Sequence, residues 1–278
     1  MEHTEGFFHA QDGTQVYRQS WEVEGPKAEI LFIHGYGDHS GRWMPMVERL
    51  TAGGYSIHGL DYRGHGQAGG RRGYCKRLDD YLDDIDLVRG HLEDRRKADK
   101  LFVLGHSLGG LLALKLCIER PRDAAAAIVS SPFLGLALEV PAIKAIAGKV
   151  MSAVLPIVSL PTEVRAADCS RDPEVVAAYD SDPLVHHVAN ARFFTEVVAA
   201  HETTLAGAAS LRLPLLMLVA GGDKIASPEA SRRFFEAAAS EDKVFNEYPG
   251  LYHEVFNEPE ADRNKVLDDL LAWMDSHV

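Results

Sequence analysis

The chain has 278 residues, 46% of them hydrophobic, enough for one large α/β domain or two small ones with a sizeable core. A formal net charge of −12 disfavours a nucleic-acid surface and loose attachment to anionic membranes. Cys75, Cys117 and Cys169 are widely spaced with no Cys-x-x-Cys pair, so neither a disulfide framework nor a zinc site is indicated.

The first 25 residues carry Glu2, Glu5, Asp12, Arg18, Glu22 and Glu24 and no long apolar run, so no signal peptide is expected. No stretch reaches the roughly 18 apolar residues of a membrane span, and the default location is the cytoplasm. Short apolar, β-branched runs then alternate with longer segments of helical period, the pattern of a mostly parallel sheet covered by helices. Strands are predicted over Gln15–Gln19 and Glu29–Ile33, the second followed by His34-Gly35-Tyr36-Gly37, a tight turn. Position 40 is Ser40, so these glycines do not form a dinucleotide-binding fingerprint. A third strand, Tyr55–Leu60, precedes a helix with Leu78, Tyr81, Leu82, Ile85, Val88 and Leu92 on one face. Asp79, Asp80, Asp83, Asp84 and Asp86 are expected to turn outward to solvent.

The next strand, Leu101–Leu104, runs into Gly105-His106-Ser107-Leu108-Gly109-Gly110 and then an apolar helical segment, Leu111 to Arg120. Strand, Gly-x-Ser-x-Gly, helix is the context of a nucleophile elbow, where a strained turn lifts the serine hydroxyl off the sheet edge. A plain glycine-rich connection is the simpler alternative. After a fifth strand, Ala126–Ser130, the alternation stops. No convincing strand is seen between about Phe133 and Ala206, prolines are frequent, and helical stretches follow one another. The region is expected to be a lid over the strand ends, with residues 1–132 and 207–278 forming the core and 133–206 the helical cap. Its first helix carries Ile143, Ile146, Ala147, Val150, Met151, Val154 and Leu155 on one face, continued by Ile157, Val158 and Leu160, with only Glu139, Lys144 and Lys149 as charges.

Alternation resumes with the strand Leu215–Ala220, which ends in Gly221-Gly222-Asp223, and with Val244–Tyr248, which leads through Pro249-Gly250-Leu251-Tyr252 to His253. A serine hydroxyl needs a base and the base an orienting group, and in this context they follow in the order serine, acid, histidine. Ser107, Asp223 and His253 satisfy that order. Glu229 and Asp242 compete for the acid and His201 and His277 for the base, but the first two sit on or after a helix, the third in the lid and the last at the terminus. Oxyanion donors are then the backbone N–H groups of Leu108 and Tyr36. No metal motif such as His-Glu-x-x-His occurs, no cofactor is required, and His186-His187 reads as a polar lid edge.

These motifs, together with Asp38-His39-Ser40-Gly41-Arg42-Trp43, Asp61-Tyr62-Arg63-Gly64-His65-Gly66 and Tyr179-Asp180-Ser181-Asp182-Pro183-Leu184, resemble the α/β-hydrolase superfamily and within it the monoacylglycerol lipase and lysophospholipase group. The resemblance covers nearly the whole chain after about residue 10. It implies an α/β-hydrolase fold, a mostly parallel central sheet flanked by helices, with a helical lid after the sixth strand. It also implies a small lipid ester as substrate, a lid that touches micelles or membrane surfaces, and a glycerol head group met by Asp38, Arg42, His106 and Tyr179; no obligate protein partner is evident in the sequence. Position 38 carries Asp where the group usually has Glu. Lysophospholipids, short soluble esters, an aminoacyl amide and a catalytically inactive binding protein remain as alternatives; Asp38 and the lid carboxylates Glu163, Asp168, Asp172 and Glu174 leave the other esters open and would also allow the cationic amide, against which the apolar lid stripe argues.

Overall fold

The structure is a computed structural model that describes residues 1–137, 148, 150–162 and 164–278. The chain opens with the antiparallel hairpin β1 (Glu2–His9) and β2 (Gln15–Glu22), followed by β3 (Glu29–Ile33), α1 (Met44–Ala52), β4 (Ser56–Asp61), α2 (Asp79–Glu93), β5 (Leu101–His106), α3 (Leu108–Glu119) and β6 (Ala124–Ser130). The inserted segment contributes β7 (Ser159–Pro161), α4 (Ala166–Cys169), α5 (Pro173–Ser181), β8 (Val188–Asn190) and α6 (Ala191–Gly207). Then come β9 (Leu215–Ala220), α7 (Pro228–Ala237), β10 (Lys243–Tyr248) and α8 (Glu260–Asp275).

Eight strands form one sheet in the order β1-β2-β4-β3-β5-β6-β9-β10. From β4 to β10 every pairing is parallel, and only β1–β2 and β2–β4 are antiparallel. Because helices cover both faces, the inner strands are apolar on both sides, and that is why they read as continuous runs instead of alternating ones. In β3, Leu31 and Ile33 join the core containing α2, α3 and α7, whereas Ile30 and Phe32 join the core containing α1 and α8. The insertion leaves the sheet after β6, the sixth strand. Strand order reverses at β3, between β4 and β5, so the crevice beyond the carboxyl ends of β3 and β5 is where such a sheet holds a ligand.

Three expectations are corrected. Strand β1 had no counterpart in the sequence reading: its side chains are mostly exposed, and it is held by its ladder to β2, by Tyr17 Oη donating to Glu5 at 2.6 Å, and by His3 stacking on Trp21. The inserted segment does contain strands, since β7 and β8 form a three-residue antiparallel pair, too short to leave a periodic signal. Finally, Asp84 is not turned outward with its acidic neighbours. Its side chain is fully buried and accepts from Arg63 Nε at 2.8 Å, Arg63 Nη2 at 2.7 Å and the Arg63 backbone N–H at 3.0 Å. Burial pushes the Asp84 carboxyl above its ordinary range, and the Arg63 contacts oppose that push.

Arg63→Ala leaves that carboxylate without its partner, which should lower the free energy of unfolding by about 3–5 kcal/mol. Urea denaturation checks this; a loss below about 1 kcal/mol, the scale of a surface pair, would contradict it.

Candidate active site

Strand β5 ends at His106 and α3 begins at Leu108, so one residue, Ser107, makes the whole turn. It does so at φ 54° and ψ −118°. A non-glycine residue in that region costs on the order of 1–3 kcal/mol and persists only where its surroundings fix it. Here the Ser107 N–H donates to Ser130 O at 3.0 Å, while its carbonyl accepts from Leu111 at 3.1 Å and Phe133 at 2.9 Å. The flanking glycines are required by space. A Cβ on Gly109 would strike the Ile33 and His34 carbonyls, and one on Gly105 would strike the Gly109 carbonyl.

Two strands across, β9 and β10 deliver the other two candidates. Asp223 follows β9, and its Oδ1 accepts from the backbone N–H groups of Ile225 at 2.8 Å and Ala226 at 2.9 Å, which leaves Oδ2 facing inward. His253 Nδ1 donates to that Oδ2 at 2.7 Å, with both side chains at most 5% exposed. Since Nδ1 faces a carboxylate it holds the proton, and Nε2 is left as the acceptor. Burial works against the His253 imidazolium, but the Asp223 charge and hydrogen bond outweigh it, with Glu254 and Asp38 adding, so its pKa lies above the ordinary value. The His106 ring sits 4.8 Å from the His253 ring, centroid to centroid. Burial and the neighbouring His253 push His106 far below the usual histidine value, so it stays neutral; its Nδ1 lies 3.2 Å from Ser130 Oγ.

Leu108 and Tyr36 flank the elbow. Leu108 opens α3, where the first amides have no carbonyl one turn back to bond. The turn holding Tyr36 lies against the elbow: a Cβ on Gly35 would stand 3.3 Å from Ser107 Cβ. The Asp61-Tyr62-Arg63 motif braces this turn from behind. Tyr62 Oη donates to Gly35 O at 2.9 Å and its ring stacks on His34, while Asp61 accepts from Ser40 N, Ser40 Oγ and Gln67 N at 2.7–2.9 Å. The Tyr36 side chain points the other way. Its Oη donates to Val188 O at 2.7 Å, its ring stacks on Phe193, and His186 meets it edge-on, so His186 is half-buried packing and only His187 is an exposed edge.

Asp38, Arg42 and Tyr179 come together, and they do so with a residue the sequence reading passed over. Arg42 Nη1 donates to Asp38 Oδ1 at 2.8 Å and to Glu254 Oε1 at 3.0 Å, and Nη2 donates to Glu254 Oε2 at 3.1 Å. The Tyr179 ring lies 4.5 Å from the Arg42 Cζ. Despite burial, Arg42 and the neighbouring histidines hold the Asp38 carboxyl down at about 2. The signal for Glu254 was a lone charge directly after His253, ahead of the apolar pair Val255-Phe256. The rejected competitors stay apart: Glu229 lies on α7, Asp242 pairs with His277 at 2.8 Å, and the His201 ring meets Phe133 edge-on. Among the described residues, no group of three or more His, Cys, Asp or Glu side chains is arranged to hold a metal ion.

Of the apolar stripe, Ile143, Ile146 and Ala147 lie outside the described residues, as do Glu139, Lys144, Lys149 and Glu163. Its described part faces solvent. Val150, Val154, Leu155, Ile157 and Leu160 are all exposed, Val154 to 69%, whereas Met151 and Val158 are half-buried. Among the described residues, no helix is long and apolar enough to cross a membrane.

Residues 24–260 match the family model described as serine aminopeptidase, S33. The monoacylglycerol lipase of Mycolicibacterium smegmatis is 34% identical over 99% of this chain and 98% of its own. The phospholipase YtpA of Bacillus subtilis is 30% identical over 93% of this chain and 99% of its own. Among solved structures, the monoacylglycerol lipase of Paleococcus ferrophilus superimposes with a TM-score of 0.84 at 30% identity, covering all of both chains.

The balance at His253 has a measurable consequence. Asp223→Asn removes the opposing charge and leaves the burial, so the His253 pKa should fall below the ordinary value of about 6.5. A histidine-resolved NMR titration of both proteins checks this; an unchanged value would contradict the assignment of cause.

Proposed function

The chain belongs to the serine aminopeptidase, S33 family of α/β hydrolases, and from that membership we propose that it hydrolyses the ester bond of monoacylglycerols through an acyl-enzyme on Ser107. His253 Nε2 takes the Ser107 proton as Oγ attacks the carbonyl carbon. The Tyr36 and Leu108 amides hold the developing oxyanion. His253 then gives its proton to the departing glycerol oxygen, which leaves the acyl group on Ser107. Water, deprotonated by the same nitrogen, releases the fatty acid and restores the serine. Asp223 keeps the proton on Nδ1 throughout and stabilises the imidazolium.

The single observation that carries the chemistry is the buried 2.7 Å hydrogen bond from His253 to Asp223, at the same strand ends as the strained Ser107 turn. Support for the substrate comes from the lipase relatives and from the exposed apolar side chains of residues 150–160, which suit the region 133–206 to act as a lid that meets a micelle or membrane surface. Asp38, Arg42, His106 and Tyr179 form the polar end beside the base, where the glycerol departs. The phospholipase relative favours one second reading, a lysophospholipid substrate.

Ser107→Ala should abolish turnover, and Asp223→Asn should lower the rate on the order of 10⁴-fold, as removal of the orienting acid does in such triads. Because the base must be neutral, kcat/KM should rise with pH through the elevated His253 pKa and decline on the acid side. Assaying monoacylglycerol, lysophosphatidylcholine, a nitrophenyl ester and an aminoacyl amide on one preparation decides the substrate. The proposal expects a higher kcat/KM on monoacylglycerol than on lysophosphatidylcholine or the amide, with the activated nitrophenyl ester reporting only that the serine is reactive; a higher value on lysophosphatidylcholine or the amide overturns it.

A further inference from the structure

Glu254 takes no part in the chemistry above, yet it is buried, 3% exposed, immediately beside the base. Besides its two bonds to Arg42, its Oε2 accepts from Asn257 Nδ2 at 2.8 Å, and its backbone N–H donates to Cys169 O at 2.8 Å. Asp38 is fixed equally well, with Oδ2 accepting from Trp43 Nε1 at 2.9 Å. The Trp43 ring lies 4.6 Å from that of His106, which in turn neighbours His253, so the cluster stands next to the group that must protonate the leaving oxygen.

One guanidinium therefore faces two carboxylates, with all three side chains no more than 8% exposed. A lone buried arginine beside the leaving group would be a receptor for phosphate or carboxylate, since its planar fork matches both. Here both hydrogens of Nη1 and one of Nη2 are already given to Asp38 and Glu254. An anionic head group reaching those committed donors would displace one of the carboxylates and leave it buried and unpaired. If both stay, the cluster carries one negative charge in excess, and like charge disfavours the anion.

We propose that Glu254 is a specificity-determining residue: by locking Arg42 against Asp38 it closes the leaving-group end to anionic head groups and leaves it open to uncharged ones such as glycerol. This rests on the ester-hydrolase reading above. It makes the selection one of charge more than of fit, since the glycerol itself need make no ion pair. Neutralising either carboxylate converts the cluster from a net negative charge to none, which removes the repulsion of an anion.

The test compares kcat/KM for 1-oleoylglycerol and 1-oleoyl-lysophosphatidate in the same neutral detergent, read as a ratio so that general damage to a variant cancels. Wild type should favour the neutral lipid at least a hundredfold. Glu254→Gln should cut that ratio at least tenfold, Asp38→Asn should do the same from the other side of Arg42, and Glu254→Asp should restore most of it. Comparable turnover of both lipids by the wild type, or a ratio unmoved in whichever of the two neutralising variants folds, overturns the proposal. Turnover of neither lipid would instead count against the ester-hydrolase reading. In that event the same preference is read from competition by each lipid against fluorophosphonate labelling, with equal competition overturning the proposal.

Discussion

Everything at the strand ends is arranged around a backbone conformation that a serine does not choose. Ser107 is held in the left-handed region by hydrogen bonds to the end of β6, to the segment after it and to α3, while Gly109 is pressed onto the carbonyls at the end of β3. The strain and the crowding have one origin. For α3 to start one residue after β5 ends, and to aim its first amides at the crevice, helix and strand must approach closer than a side chain allows. The turn after β3 is fixed by the same contact, which makes the positions of Tyr36 and Leu108 consequences of the elbow and not separate features.

Charge at this end of the sheet follows a second rule: carboxylates are buried, and each is answered in its own way. Asp61 is answered by backbone and hydroxyl donors, Asp223 by two amides and an imidazole, Asp84 by a guanidinium, and Asp38 and Glu254 by one guanidinium shared between them. The difference bears on chemistry. Asp223 keeps one oxygen turned to a group that can change protonation, so its field acts on a proton. Asp38 and Glu254 spend theirs on Arg42, which does not titrate, so their field acts on whatever approaches the base.

What the sequence disclosed follows the range of the interactions involved. The inner strands were legible because burial on both faces writes itself into consecutive residues, and the elbow because strand, glycines and helix are contiguous. Ser107, Asp223 and His253 could be proposed together because a parallel sheet sends every strand's carboxyl end to one edge. Strand β1 escaped because its stability comes from cross-strand pairing and not from its own composition. Asp84 looked like one more solvated aspartate because its partner lies 21 positions away, and Glu254 drew no notice because Arg42 is 212 positions distant. The motif containing Asp38 and Arg42 was visible by resemblance, but that the two bind each other through a third residue was not. Long-range ion pairs leave little trace in local pattern.

The central claim is that the turn at residue 107 presents its hydroxyl to the base and its neighbours' amides to the oxyanion. A crystal structure of the protein inactivated with a fluorophosphonate tests it most directly. The account predicts a phosphonyl group on Ser107 Oγ, with its free oxygen about 2.7–3.1 Å from the Tyr36 and Leu108 nitrogens, the spacing such donors need. An adduct on another residue, or a phosphonyl oxygen turned to solvent with both amides bonded elsewhere, would contradict it.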